Sequence, residues 1–248
     1  MPLSTVALLG IDFNNLNLPA IIDELLNRPR SLRFAYIVTP NADHLTRLSR
    51  QPKLRLVYDA AWLCLLDSKF VWYAARALRQ PVPRVATGAD ITAALLSRLN
   101  AQTIAVIGMS PASLQRLQSR YPNLTFAHHA PPQNLLNDQL GFRRARDFAV
   151  STNARFTFIA LGSPLQELLA YAIACQPNAM GVGLCIGIAL EFCAGTTPRA
   201  PGWMRASGLE WLHRLAHNPR RLARRYLIDD PPILAALFKQ TWRQWRQD

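Results

Sequence analysis

The chain has 248 residues, half of them hydrophobic, and a formal charge of +13. That length suits one large α/β domain with a small appendage, and a core large enough to need neither metal nor disulfide support. Cys64, Cys175, Cys185 and Cys193 sit in apolar runs and form no C-x-x-C pair, which excludes a disulfide scaffold and reads as buried free thiols in a reducing compartment.

Apolar, β-rich runs alternate with helical patterns along the chain. Residues 6–11 read as a strand and 18–26 as a helix. Residues 34–38 are a strand emptying into Thr39-Pro40-Asn41, with a helix over 42–49. A strand over 62–66 ends at Asp67 and is followed by helices over 71–78 and 91–99. Residues 103–107 form a strand ending in Gly108-Met109-Ser110, where Pro111 is placed to begin a helix. A weak strand over 124–127 and a helix over 140–150 precede a strong strand at 156–161, which ends in Gly162-Ser163-Pro164. A helix over 165–174 and a last strand at 179–183 complete the pattern.

This alternation predicts an α/β, Rossmann-like parallel sheet with helices on both faces. The uncharged run 168–190 is long enough to span a membrane, but Pro177 and several glycines fit a helix, a turn and a buried strand better. The first ten residues lack the basic start of a signal peptide. After Gly195 the composition changes. Pro198-Arg199-Ala200-Pro201 breaks the pattern, and from there to the end ten Arg or Lys face four acids, with Trp203, Trp211, Trp242 and Trp245 among them. The division is therefore 1–195, the α/β domain, and 196–248, a small basic helical C-terminal appendage.

Ligands of such sheets bind beyond the carboxyl ends of the strands. Four polar or glycine-bearing turns fall at those ends, at 39–41, 67–69, 108–110 and 162–164. The charge is carried almost entirely by arginine, whose planar fork suits phosphate and carboxylate. A phosphate-bearing partner follows, although a solvated basic surface also accounts for the charge. Gly181-x-Gly183 with Gly187 fits a dinucleotide fingerprint poorly, since its third glycine is one position late and it lies in the last strand. The sequence has no P-loop, no G-x-S-x-G and no H-E-x-x-H. His128 and His129 point apart on a strand, and His213 and His217 find no third ligand, so no metal site and no cofactor are expected. Asp-x-Asp, the pair that holds a divalent cation on a sugar-nucleotide diphosphate in many transferases, is also absent.

At this point an ordered set of motifs resembles the WecG/TagA/CpsF glycosyltransferases. It runs from Thr39-Pro40-Asn41 through Asp67 and Val85-Ala86-Thr87-Gly88-Ala89-Asp90 to Gly162-Ser163-Pro164-Leu165-Gln166-Glu167 and Gly181-Val182-Gly183. It continues with Arg199-Ala200-Pro201, Gly208-Leu209-Glu210-Trp211 and Pro219-Arg220-Arg221, ending at Arg224-Arg225-Tyr226. The resemblance implies inverting, metal-independent transfer of a hexose or N-acetylhexosamine, of the N-acetylmannosamine type, from a UDP-sugar donor. The acceptor it implies is a polyprenyl-diphosphate-linked glycan, on the cytoplasmic face of the membrane, in cell-surface or exopolysaccharide synthesis.

By position Asp67 matches the general base, while Thr39, Asn41 and Gln166 match residues around the substrates. Ser68, Gly108, Gly162, Glu167 and Gly183 are the further substrate-binding candidates. Arg199, Arg214, Arg221, Arg224 and Arg225 are candidates for the lipid diphosphate or an anionic membrane surface. Two departures stand out. Asp67-Ser68-Lys69-Phe70 replaces the family's Asp-Gly-x-Gly, and Leu190-Glu191 replaces a Phe-Asp pair. Asp67 equally suits a helix N-cap, and Gln166-Glu167 an ordinary first turn. A catalytically inactive scaffold and a nucleic-acid-binding protein are the rival readings; the absence of a nucleic-acid motif speaks against the latter. A homo-oligomer is compatible with the sequence.

Overall fold

A computed structural model of the chain describes residues 3–217, 219–224 and 232–245. Strands β1 (Thr5–Leu8) and β2 (Ile11–Asn14) form an antiparallel hairpin. Strands β3 (Ala35–Val38), β4 (Leu63–Cys64), β5 (Gln102–Gly108), β6 (Leu124–His129), β7 (Phe156–Ala160) and β8 (Val182–Cys185) form a six-stranded sheet in the order β4-β3-β8-β7-β5-β6. Every pairing in it is parallel. The expected α/β architecture is therefore present.

The strand pleat sends alternate residues to opposite faces, and each face has its own core. Ile37, Leu63, Ile104, Val106, Phe156, Phe158 and Leu184 meet helices α1 (Leu18–Asn27), α5 (Gly88–Arg98), α6 (Pro111–Arg120) and α9 (Ala189–Ala194). Tyr36, Val38, Cys64, Ile107, Ile159 and Cys185 meet α2 (Ala42–Arg50), α3 (Arg55–Asp59), α4 (Lys69–Ala77), α7 (Gln139–Thr152) and α8 (Leu165–Ala174). Phe156 and Phe158 are fully buried, and truncating either to Ala costs about 3–5 kcal/mol by the usual core measure. The run 168–190 is α8, a turn and β8. Among the described residues no helix is long and apolar enough to cross a membrane.

Three expectations need correction. Residues 6–11 are two strands, because Leu9 and Gly10 take φ of 54° and 75° and close a two-residue turn. Positive φ at both positions matches hairpin twist, and Leu9 gives no sequence sign of it. The last strand starts at Val182, which pairs with Ala35 and Phe156. Gly181 precedes it at φ 91°, where a side chain would meet the Ala154 carbonyl. Cys175 is exposed, while the other three thiols are buried.

The C-terminal segment holds α10 (Gly202–Ala206), α11 (Glu210–His217), α12 (Pro219–Arg224) and α13 (Pro232–Trp245). Helix α13 packs on α4 and α2 and contributes Ile233 and Leu237 to the core beneath the sheet. Gln240 anchors it, accepting from the Leu9 amide at 2.9 Å and donating to Gln80 at 3.2 Å. Its other face exposes Leu234, Phe238 and Trp242, which recur at four-residue spacing and so form one stripe.

Candidate active site

The turns after the strands do converge. Thr39 and Asn41 after β3, Asp67 after β4, Met109 after β5, Gly162 and Ser163 after β7, and Ile186–Ala189 after β8 line one cavity of about 640 Å³. Its volume falls within the usual range for small-molecule sites, roughly 300–1,000 Å³. Helix α2 lines it with its first two turns. Asn41 caps that helix by accepting from the amides of Asp43 and His44. Behind the cap, His44 and Arg47 also line the cavity. Arg47 donates to Ser163 and to Asp43, each at 2.8 Å.

Gln166 lies on the first turn of α8 and is fixed at both ends of its amide. Its Oε1 accepts from the Gly187 amide at 2.9 Å, and its Nε2 donates to Glu167 Oε1 at 2.8 Å. Gln166 thereby holds the turn after β8 against the cavity. Thr39 Oγ1 donates weakly to the Cys185 carbonyl at 3.4 Å, tying the ends of β3 and β8 together.

Asp67 lines this cavity together with Thr39 and Gln166, and also lines a second one. Ser68, not Asp67, caps α4, accepting from the Val71 amide at 3.2 Å. That leaves the Asp67 carboxylate to turn elsewhere. Its Oδ2 accepts from the Gly88 amide at 3.0 Å, the first amide of α5 after the Thr87 cap. A helix N-terminus favours negative charge there. Gly88 allows the approach: a β-carbon on it would stand 3.0 Å from Thr39 Oγ1 and 3.7 Å from Asp67 Oδ2.

The second cavity, of about 400 Å³, is lined by Asn41, Asp67, Ser68 and Phe70 on one side, and Arg199, Arg205, Trp211 and Leu234 of the C-terminal segment on the other. Asp90 clasps the two sides. Arg199 reaches its Oδ1 at 2.8 Å and Arg205 at 3.5 Å, and Arg199 also donates to Thr87. Lys69 donates to the Ala206 carbonyl at 2.9 Å. Two guanidinium groups thus share one carboxylate at the cavity wall. Asp67 and Asn41 alone among the described residues line both cavities.

Burial pushes the phenol of Tyr58 far up, and the Glu167 carboxylate adds to the shift. The same two causes, in the same order, push up the Cys185 thiol. Both groups stay protonated near neutrality and neutral beside Glu167. Among the described residues, no three His, Cys, Asp or Glu side chains converge to hold a metal.

Residues 6–247 match the profile of the WecG/TagA/CpsF glycosyl transferase family. The chain belongs to this family. Its relatives include the N-acetylglucosaminyldiphosphoundecaprenol N-acetyl-β-D-mannosaminyltransferases of Staphylococcus aureus strains MW2 and NCTC 8325. Each is 26% identical over 230 residues, covering 88% of this chain and 87% of the relative.

Of the residues that the WecG/TagA/CpsF resemblance singled out, Thr39, Asn41, Asp67, Gly162 and Gln166 meet in the larger cavity, and Ser68 and Arg199 in the smaller. Three do not reach a cavity wall. Gly183 lies within β8, where a β-carbon would stand 2.6 Å from Phe34, so its absent side chain serves packing. Gly108 is buried at φ 94° against the Ala160 carbonyl and accepts from His128 at 2.8 Å; Met109 takes its place at the wall. Glu167 is wholly buried behind Gln166. The side chains of Arg214, Arg221 and Arg224, and all of Arg225, lie outside the described residues. Sequence reasoning missed His44, Arg47, Gly187, Arg205 and the histidine pair of α11. His44 and Arg47 follow Asn41 by one and two helical turns, a spacing that could have found them.

Proposed function

We propose that this chain is an inverting glycosyltransferase that moves a hexose or N-acetylhexosamine, of the N-acetylmannosamine class, from a UDP-sugar to a polyprenyl-diphosphate-linked acceptor. The observation that carries the reading is the position of Asp67 on the shared wall of two cavities. The larger cavity, at the carboxyl ends of the strands, takes the nucleotide sugar. The smaller one, walled by guanidinium groups and by Phe70, Trp211 and Leu234, takes the acceptor's diphosphate and the start of its lipid. The S. aureus relatives, whose names specify a diphosphoundecaprenol acceptor, support that assignment.

The reaction is one displacement. The acceptor hydroxyl gives its proton to Asp67 as its oxygen bonds to the anomeric carbon from one face. The bond from that carbon to the diphosphate breaks on the other face, and its electron pair goes to the departing UDP. The amides of the Gly162 turn, where α8 starts without a side-chain cap, and Arg47 face that charge. Thr39, Asn41 and Gln166 hold sugar and acceptor in line. Charge on both diphosphates is met by protein groups, so the reaction needs no divalent cation.

The C-terminal segment docks at the membrane surface. The exposed stripe of Leu234, Phe238 and Trp242 beside Lys239, in a segment whose sequence is rich in arginine, has the make-up of an interfacial helix. Arg214, Arg221, Arg224 and Arg225 add charge for anionic lipid or the lipid diphosphate.

The test is UDP release by purified protein from a panel of UDP-sugars, with and without polyprenyl-diphosphate-linked N-acetylglucosamine. Acceptor-dependent release with inversion at the anomeric carbon is expected. An absence of release with every donor would favour an inactive scaffold, and salt-dependent DNA binding in its place would favour a nucleic-acid partner.

A further inference from the structure

We propose that His44 is a second catalytic residue, the proton-bearing partner of the departing diphosphate, and that Glu167 is the buried positioning residue that lets it hold that proton. The inference rests on the donor assignment above, and extends it to His44, which the family motifs do not reach, and to Glu167, the buried end of one of them.

Glu167 is the starting point. It has 0% exposure, and carboxylates are almost never fully buried unless paired. Oε1 accepts from Gln166 and stands 4.0 Å from His44 Nδ1. Among the described residues Oε2 has no hydrogen-bond partner. Holding the Gln166 amide does not call for a charge, because a neutral glutamine at 167 could accept the same bond. A carboxylate here instead places a negative charge 4.0 Å from His44 Nδ1, where it favours a protonated imidazole.

His44 completes the pair. It is 8% exposed and lines the larger cavity together with Gln166 and Gly187. Its Nδ1 edge is buried toward Glu167, so Nε2 is the nitrogen that a ligand in the cavity meets. The charge of an entering diphosphate favours the protonated imidazole as well, with the Glu167 carboxylate behind it. When the bond from the anomeric carbon to the diphosphate breaks, the electron pair arrives on a phosphate oxygen. The Nε2–H hydrogen-bonds to that oxygen, while the acceptor's proton goes to Asp67. Other titratable or charged groups around the pair are Tyr36 on β3, Tyr58 on α3 and Cys185 on β8, with Asp43 and Arg47 of α2 and Asp67 on the cavity wall. Glu191, His213 and His217 line the same cavity.

The experiment measures binding of a UDP-N-acetylhexosamine by calorimetry between about pH 6 and pH 8.5, the range in which histidine changes charge. The diphosphate of this donor does not titrate in that range. The proteins are wild type, His44→Gln, Glu167→Gln and, as a control, His129→Gln at a histidine that lines neither cavity, with kcat for sugar transfer measured on each.

Wild-type affinity should fall by about tenfold as pH rises, and the control should do the same. His44→Gln should bind weakly at every pH and lose about 100-fold in kcat. In Glu167→Gln the fall in affinity should move to lower pH, a change that a merely structural role would not produce. If Glu167→Gln does not fold, His44→Gln alone decides. A His44→Gln protein with wild-type pH dependence and kcat overturns the proposal. A wild-type protein that binds no UDP-sugar overturns the donor assignment instead.

Discussion

Gly88→Ala separates stability from catalysis in this site. A β-carbon at Gly88 would stand 3.0 Å from Thr39 Oγ1 and 3.7 Å from Asp67 Oδ2. The first distance is a few tenths of an ångström short of ordinary contact, so Thr39 must move by about that much. A misplacement of about 1 Å at a reacting centre can cost about 100-fold in rate. A shift of a third of that size scales to a loss of about three- to tenfold in kcat. Stability should change little or rise by up to about 1 kcal/mol, because alanine is the better helix former. The assay is steady-state transfer from a UDP-sugar, paired with thermal unfolding. The Thr39→Ala background supplies the check: with Oγ1 gone the contact vanishes, and Gly88→Ala should then cost nothing further. Additive losses in the double variant would refute the steric account.

Four further outcomes follow from the geometry. Ser68→Ala removes the α4 cap and should cost about 1 kcal/mol in denaturant unfolding with little change in kcat. Asp90→Ala frees the two guanidinium groups of the clasp; it should cost about 1 kcal/mol or less, the range for partly exposed pairs, and raise KM for the lipid acceptor more than KM for the donor. Native protein should label rapidly with maleimide at Cys175 alone, since Cys64, Cys185 and Cys193 are buried and burial raises their thiols. Stability should fall as pH rises above about 9: the unfolded chain releases the protons of Cys64, Cys185, Tyr36 and Tyr58, the native chain keeps them, and the state holding more protons loses ground as pH rises.

Much of the fold was legible because its period is strong. Buried parallel strands read as continuous apolar runs, and Phe156–Ala160 and Gln102–Gly108 stood out as such. The lining of the candidate site was legible where turns follow strand ends, as at Thr39, Asn41, Asp67 and Gly162. It was not legible where a three-dimensional choice decides between neighbours. Asp67 and Ser68 both suit a helix cap, and only the fold gives the cap to Ser68 and turns Asp67 toward Gly88. Gly183 looked like a ligand glycine, yet its missing side chain accommodates Phe34. His44 lay inside a helix pattern, and its partner Glu167 is 123 residues away in the chain, counting from 44 to 167. The C-terminal segment read as a separate basic appendage, and the burial of Ile233 and Leu237 beneath the sheet has no local signature.

The central claim is that Asp67 takes the acceptor's proton, and Asp67→Asn tests it most directly. Asparagine keeps an oxygen for the Gly88 amide, so the site's geometry survives while the base is lost. The measurement is kcat for transfer from a UDP-N-acetylhexosamine to polyprenyl-diphosphate-linked N-acetylglucosamine, with donor affinity determined on the same protein. A loss of about 100-fold or more in kcat, with donor affinity within about threefold of wild type, is expected. Turnover close to wild type would contradict the account and remove Asp67 as the base.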